Sequence, residues 1–367
     1  MRKKVALIFG GRSSEHEISL RSIKNVFEAL DKTKFEPYLI GISLQGSWYH
    51  ISDFETLQKM KNLSDVQLPK NAQACTLICR NSKPQFLLLD KNITFHVDVA
   101  FPVLHGTFGE DGTIQGLFKM MNLPFVGCGV LASSIGMDKE VAKRLMNHAG
   151  ITNAKSVLIT PHQQISYSVL VEKLGTPFFI KPANSGSSVG VYKIKSVTDY
   201  TSQLPKALSF DSKVLAEEFI EGREIECSVM GLNDSPKSSL PGEIIAQHEF
   251  YSYDAKYLDD DGAKIQIPAQ LTSEQIEKVR ALAIKTYQIL GCDGLTRVDF
   301  FLKKNGDLYV NEINTIPGFT NISMYPKMWE AMGIKYADLI TELIGFAVKK
   351  SEIENKIQFS LEALNSN

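Results

Sequence analysis

The sequence predicts an α/β protein of two or three domains, and three observations carry the prediction. Strand and helix patterns alternate from Lys3 onward, as in an open sheet flanked by helices. A Gly/Ser-rich loop joins two strand patterns between Pro177 and Tyr192. Two apolar runs flank Asn305-Gly306, the strongest short-range hairpin signal.

The 367 residues are 44% hydrophobic and 22% charged, ordinary for a globular chain. Lys and Arg number 40 against 41 Asp and Glu, so no global field draws the chain to nucleic acid or an anionic membrane. No apolar run approaches a membrane span. Val5 to Phe9, soon broken by glycine, is too short for a signal peptide, and a cytoplasmic location is expected. Cys75, Cys79, Cys128, Cys227 and Cys292 are scattered. Cys75 and Cys79 have no second pair to complete a zinc site, so reduced thiols are expected.

In chain order, Lys3 to Phe9 reads as a buried parallel strand, and Gly10-Gly11 turns it into a helix from Ser13 to about Leu30. The turn lacks the G-x-G-x-x-G spacing of a dinucleotide site. Glu15 suits either the dipole of a helix start or a ligand role. Phe35 to Ser43 is a second strand, while residues 50–95 mix short apolar runs with polar turns and give no clear reading. Val97 to Leu104 is a third, ending in His105-Gly106-Thr107-Phe108-Gly109-Glu110-Asp111-Gly112. Three glycines and several ionisable groups at a strand end mark a functional loop, which gives His105 more weight than a lone histidine. A helix from Thr113 to Met121, a short strand from Pro124 to Gly127, and a helix from Ser133 to His148 capped by Gly150 follow.

Pro177 to Pro182 is a strand carrying Lys181, followed by Ala183-Asn184-Ser185-Gly186-Ser187-Ser188-Val189-Gly190 and a second strand. Here the lysine precedes the loop, unlike a P-loop, so the expectation is a hairpin flap whose N–H groups and hydroxyls cover anionic oxygens beside Lys181. A flexible surface hairpin is the simpler alternative. Val214 to Ile220 and Ile225 to Met230 are strands joined through Glu221-Gly222-Arg223-Glu224. Residues 249–264, aromatic, charged and aperiodic, read as a lid loop. Ser273 to Leu290 is an amphipathic helix capped by Thr272 or Ser273.

The final hairpin carries the most chemistry. With Asn305 and Gly306 central in a tight turn, Asp299 lies opposite Glu312 and Arg297 opposite Asn314, on one face that also holds Phe301 and Val310. Opposed carboxylates repel. Asp299 and Glu312 therefore ask for a cation, and with the amide oxygen of Asn314 they suit hard Mg²⁺ holding phosphates. A solvated polar face is the bland alternative, which the apolar neighbours disfavour. The turn-rich exit from Thr315 to Asn321 presents N–H groups nearby.

Four spaced motifs make the chain resemble the D-alanine–D-alanine ligase family of the ATP-grasp superfamily over almost its whole length. They are His105 to Gly116, Lys181 to Gly190, Asp254-Ala255-Lys256-Tyr257-Leu258, and Arg297 to Asp299 with Glu312 to Gly318. The resemblance implies three domains: an N-terminal open α/β, Rossmann-like substrate domain at 1–132, and two α+β domains at 133–222 and 223–367 that grip ATP. It implies ATP-dependent ligation of two D-alanines into a peptidoglycan precursor, two Mg²⁺ or Mn²⁺ ions, and a homodimer.

The implied roles follow the motifs. Lys139 and Lys181 contact the α/β-phosphates, Ser188 lies in the flap, Glu217, Glu218, Phe219 and Ile220 read adenine, Glu224 holds the ribose, and Lys256 approaches the γ-phosphate. Asp299, Glu312 and Asn314 hold the metals. Glu15 and His105 meet the first D-alanine, and Ser323 meets the carboxylate of the second. Arg297 and the Gly318 N–H stabilise an oxyanion, while Ser187 and Tyr257 link to Glu15 and close the lid.

The chemistry suits these residue types. A carboxylate is a poor acyl donor until phosphorylated, and cations neutralise the phosphoryl group in transfer. Fixed donors favour the tetrahedral oxyanion, and a lid keeps water from the acyl phosphate. Three rivals stand beside this reading. A ligase using D-lactate or another second amino acid is the nearest rival; Tyr257 between Lys256 and Leu258 favours the dipeptide, since relatives that make the ester differ in this loop. A nucleotide-binding protein without turnover would lack Asp299, Glu312 or Arg297, and all are present. A nicotinamide oxidoreductase would need the missing glycine fingerprint.

Overall fold

The computed structural model describes residues 1–81, 83–163, 165–246 and 263–357, organised around three β-sheets. The first holds β1 (Lys3–Gly10), β2 (Phe35–Ile42), β3 (Trp48–Ile51), β4 (Ala72–Arg80), β5 (Lys83–Leu88), β6 (Ile93–His96) and β7 (Val99–Val103), in the order β6-β5-β4-β3-β2-β1-β7. β1 pairs in parallel with β2 and β7, as the alternating pattern predicts. Its continuous apolar run reflects burial on both faces. Val5, Leu7 and Phe9 pack with Leu20, Ile23 and Val26 of the helix His16–Ala29, while Ala6 and Ile8 meet Ile114 and Phe118 of the helix Thr113–Met120. The unread stretch 50–95 supplies most of an antiparallel extension, β3 to β6, so this sheet is mixed rather than purely parallel. Gly10 ends β1 at φ +87°, where a Cβ would sit 2.2 Å from the Ile42 carbonyl oxygen.

Two local expectations change. Pro124 to Gly127 forms no strand, only a single bridge between Phe125 and Ala100. The helix expected from Ser133 to His148 is two helices, Val130–Met137 and Lys139–His148. Asp138 breaks them, because its carboxylate accepts the free N–H groups of Glu140 and Val141, each at 3.1 Å, and caps the second.

The second sheet holds β8 (Ser156–Ile159), β9 (Phe178–Pro182), β10 (Tyr192–Ile194) and β11 (Val214–Glu218), all antiparallel in the order β10-β9-β11-β8. Phe178, Ile180, Val214 and Ala216 point into a core with Leu170, Tyr200 and Ala207 of two covering helices. Strand alternation then puts Phe179, Lys181, Leu215 and Glu217 on the opposite face. The β9–β10 hairpin is the expected flap.

The third sheet holds β12 (Arg223–Gly231), β13 (Lys237–Ser238), β14 (Gly242–Ala246), β15 (Ala263–Gln266), β16 (Gly294–Leu302) and β17 (Leu308–Asn314), ordered β15-β14-β12-β16-β17 with β13 beside β12. Its core face, including Ile225, Val298, Phe300 and Val310, packs under the helix Ser273–Ile289. That helix begins with a capping box between Thr272 and Gln275. Ala142 and Met146 of Lys139–His148 join the same core, and Leu339, Ile340 and Leu343 of Tyr336–Glu354 pack in the first core with the helix His16–Ala29, β7 and β16. No helix among the described residues is long and apolar enough to cross a membrane.

The β16–β17 register holds where the chemistry lies, with Arg297 opposite Asn314 and Asp299 opposite Glu312. The route to it differs from a two-residue turn. The Lys303 N–H bonds the Asp307 carbonyl oxygen at 2.9 Å, so the loop is one residue longer. Leu302 faces Leu308 and Phe300 faces Val310, and a bulge beyond Asp299 restores the expected pairing. Val310 is thereby turned into the core, fully buried, and does not share the charged face with Phe301.

Candidate active site

Two cavities adjoin where the three sheets meet. One, of 350 Å³, is lined by Lys139, Lys181, Ser188, Glu217, Glu218, Phe219, Ile220, Glu224, Phe301 and Glu312 among others. The other, of 380 Å³, is lined by Glu15, His105, Glu110, Arg297, Asn314, Gly318 and Ser323 among others. Gly186, Ser187 and Glu312 border both.

In the first cavity Lys181 extends from β9 to Glu217 Oε1 on β11, at 2.7 Å. Glu217 is buried, and its other oxygen takes Lys143 at 2.7 Å. Burial pushes the Glu217 carboxyl up, but the two ammoniums outweigh it and bring it below its ordinary value. Lys139 opens its helix and donates to the Ser185 carbonyl at 2.7 Å, with Glu312 at 3.6 Å. It therefore lies between the flap and the acidic hairpin. Glu218 turns aside, its Oε1 accepting the Lys155 N–H at 2.7 Å. Phe219 stands partly exposed with its ring 6.0 Å from Phe179, under the Lys193 ammonium. Aromatic faces, a carboxylate at Glu224 and lysines at one end make a cleft with an apolar half and a cationic half.

Arg297 stands at the head of the second cavity. Its Nε and Nη2 donate to the two oxygens of Asp299 at 2.7 and 2.8 Å, and Nε lies 3.0 Å from Glu226. Burial opposes its charge, yet Asp299, Glu226 and Glu312 hold the guanidinium well above its ordinary value. Asn314 Nδ2 donates to Asp299 at 2.9 Å, which turns its amide oxygen the other way. The donor chemistry fits a hard cation. Two carboxylates face each other across adjacent strands beside an amide, and Arg297 and Lys139 now balance them.

The far wall comes from the carboxyl ends of β1 and β7. Glu15 is the residue before the first helix and is buried, and Ser187 Oγ donates to its Oε1 at 2.5 Å. Ser187 and Ser188 sit at φ +53° and +60°, a strained arrangement for two consecutive non-glycine residues that aims the flap inward. Gly106, at φ +74°, leaves room that a Cβ would take from Glu15 Oε2, 2.8 Å away. His105 Nδ1 donates to the Ile316 carbonyl at 3.2 Å, so Nε2 accepts from Ser22 Oγ at 3.3 Å. Burial pulls the imidazole below its ordinary value, against Glu15, and keeps it neutral. Glu110 accepts the Gly106 N–H at 2.8 Å, and burial followed by the Glu15 charge pushes it up to about 8. Ser323 Oγ lies 2.7 Å from Thr320 Oγ1 and would meet a Cβ on Gly318 at 3.2 Å.

The structure thus brings together every expected site residue it describes. Asp299 does so through Arg297 and Asn314. Lys256 and Tyr257 lie outside the described residues, so the Tyr257 half of the expected link to Glu15 does too. Sequence reasoning assigned no role to Lys143, Glu226 or Glu110. Glu110 stood in the loop it marked as functional. Lys143 and Glu226 carry no local signal, since only tertiary packing joins them to the site.

Residues 4–128 match the family model for the D-ala D-ala ligase N-terminus, and residues 145–345 that for its C-terminus. The D-alanine–D-alanine ligase of Shouchella clausii is 47% identical over 363 residues, covering 98% of both chains. The D-Ala:D-Ser ligase VanG of Enterococcus faecalis superposes with a TM-score of 0.85 at 36% identity, over 95% of this chain and 100% of that one. The ATP complex of the Bacillus anthracis D-alanine–D-alanine ligase gives 0.72 at 27% identity, over 96% and 99%. An ATP-grasp fold, with the models for both halves of one family matching most of the chain, leaves a plain assignment: the chain belongs to the D-alanine–D-alanine ligases.

Proposed function

We propose that this chain joins two D-alanines into D-alanyl-D-alanine, a peptidoglycan precursor, through an acyl phosphate formed from ATP. The observation that carries the reading is the shared border of the two cavities. A lysine-lined cleft opens at Gly186, Ser187 and Glu312 onto a small pocket holding Glu15 and Arg297. Phosphoryl transfer to an amino acid needs that junction.

In this account Phe219 and Ile220 hold adenine, Glu224 the ribose, and Lys139 and Lys181 the α/β-phosphates, with Ser188 over them. Glu218 contributes its backbone, since its side chain is engaged with Lys155. Glu217 acts beneath Lys181. Asp299, Glu312 and Asn314 would hold two Mg²⁺ or Mn²⁺, which when bound neutralise charge on the phosphates. Glu15 receives the first D-alanine's ammonium, with neutral His105 beside it. The γ-phosphoryl passes to that substrate's carboxylate oxygen, giving ADP. The second amine attacks the acyl carbon, and phosphate leaves with the oxygen it received. Arg297 and the Gly318 N–H stabilise the tetrahedral oxyanion. Ser323 holds the second carboxylate.

The likeness to VanG makes D-serine the second reading for the second substrate; the higher identity to a curated D-alanine–D-alanine ligase favours D-alanine. Three units at 1–132, 133–222 and 223–367, a homodimer and a cytoplasmic location complete the proposal. Phosphate release with ATP and Mg²⁺ should require D-alanine and be absent with L-alanine. Mass analysis of products from mixed D-alanine and D-serine separates the two readings, and release with neither substrate would refute both.

A further inference from the structure

The buried cation beneath the nucleotide cleft has no place in the account above. Lys143 projects from the helix Lys139–His148 and is only 2% exposed. Its Nζ lies 2.7 Å from Glu217 Oε2 and 3.0 Å from the Ala154 carbonyl, with Asn153 Oδ1 at 3.5 Å. An ion pair to Glu217, with the Ala154 carbonyl and the Asn153 amide oxygen accepting from the same nitrogen, is the setting of a protonated lysine. Burial lowers its pKa and Glu217 opposes that. Glu217 divides its oxygens, one to Lys143 and one to Lys181 at 2.7 Å.

The charges then decide the matter. Glu217 and Lys181 alone would form a neutral ion pair, which would compete with any phosphate for Lys181. With Lys143 included, the triad carries one net positive charge. Lys143 is buried with all its polar contacts to protein oxygens, whereas Lys181 lines the cavity. The surplus charge is therefore offered to the cleft by Lys181. Glu217 is pinned from below, which also fixes the direction of the Lys181 chain.

We propose that Lys143 is a positioning residue of the nucleotide site: it neutralises and orients Glu217 so that Lys181 meets the ATP phosphates with an uncompensated charge. The inference rests on the reading that Lys181 contacts phosphate.

The test compares inhibition by ADP with inhibition by adenosine, which has no phosphate. Lys181→Met comes first. If it weakens ADP no more than adenosine, the placement of Lys181 at the phosphates fails, independently of Lys143. Given that placement, Lys143→Met should weaken ADP by about tenfold or more while adenosine is unchanged, about 1.4 kcal/mol of phosphate-specific binding. A merely structural lysine would weaken both ligands alike, and that result would overturn the proposal. The double variant Lys143→Met/Glu217→Gln leaves no orphan carboxylate, and it serves also if Lys143→Met does not fold. With Glu217 neutralised, Lys181 regains its surplus charge and the ADP-to-adenosine ratio should return toward wild type. A ratio that stays as low as in Lys181→Met would contradict the charge argument.

Discussion

Ser187 Oγ donates to Glu15 Oε1 at 2.5 Å, joining the flap of the second sheet to the helix start of the first across 172 residues. This bond closes the corner where the two cavities meet. A hydrogen bond to a carboxylate contributes on the order of 1.5–3 kcal/mol. Because the bond is already made without substrate, Ser187→Ala should lower stability by about that amount, and kcat/KM should fall by up to about 10- to 150-fold where the closed corner is needed for turnover. Steady-state kinetics with a parallel melt check this. A variant with normal kinetics would remove the bond from the mechanism.

Glu312 borders both cavities and faces Asp299 across the strands. Glu312→Gln should abolish most turnover, leave the fold intact, and raise the Mg²⁺ needed for the residual rate, because one charged ligand is lost. Titrating Mg²⁺ against rate is the measurement. An unchanged requirement would sink the metal assignment.

Ser323 is placed beside Gly318 and Thr320 at the end of the second cavity. Ser323→Ala should weaken the second D-alanine more than the first, by about 1.5–3 kcal/mol for a bond to a carboxylate. The concentration dependence at the two sites separates them, and equal loss would place Ser323 elsewhere.

Glu110 predicts a pH dependence. Its pKa is raised to about 8, by burial first and the Glu15 charge second, with Lys139 and Arg297 opposing and His105 Nδ1 at 3.9 Å. A carboxyl raised on folding contributes stability below its unfolded pKa, and that contribution is lost as pH rises toward 8. Glu110→Gln removes the loss. Its melting temperature relative to wild type should therefore climb between about pH 5 and pH 8. His105, shifted downward, acts on the acid side and is common to both proteins. A flat difference across that range would show that Glu110 is not held protonated.

Much of this site was legible because its chemistry lies in short motifs at strand ends. Glu15 and His105 follow β1 and β7, whose apolar runs are unmistakable. The Asp299–Glu312 pairing was correct for a partly wrong reason, since a longer turn and a compensating bulge cancel. Bulges have no sequence mark here, so simple alternation puts Val310 on the wrong face. The break at Asp138 hid inside a plausible helix, because an aspartate reads as a surface residue until its capped N–H groups are seen. Lys143 was illegible for a further reason. Its partners come from β11 and the turn at Ala154, and no local pattern announces a buried ion triad.

The acyl phosphate is the account's central claim, and oxygen transfer tests it most directly. D-alanine labelled with ¹⁸O in its carboxylate is turned over with ATP and Mg²⁺, and the released phosphate is analysed by mass. The account predicts one labelled oxygen in each phosphate formed, matched by one dipeptide, because the oxygen that attacks phosphorus leaves with it. Phosphate without label, alongside dipeptide formation, would contradict it.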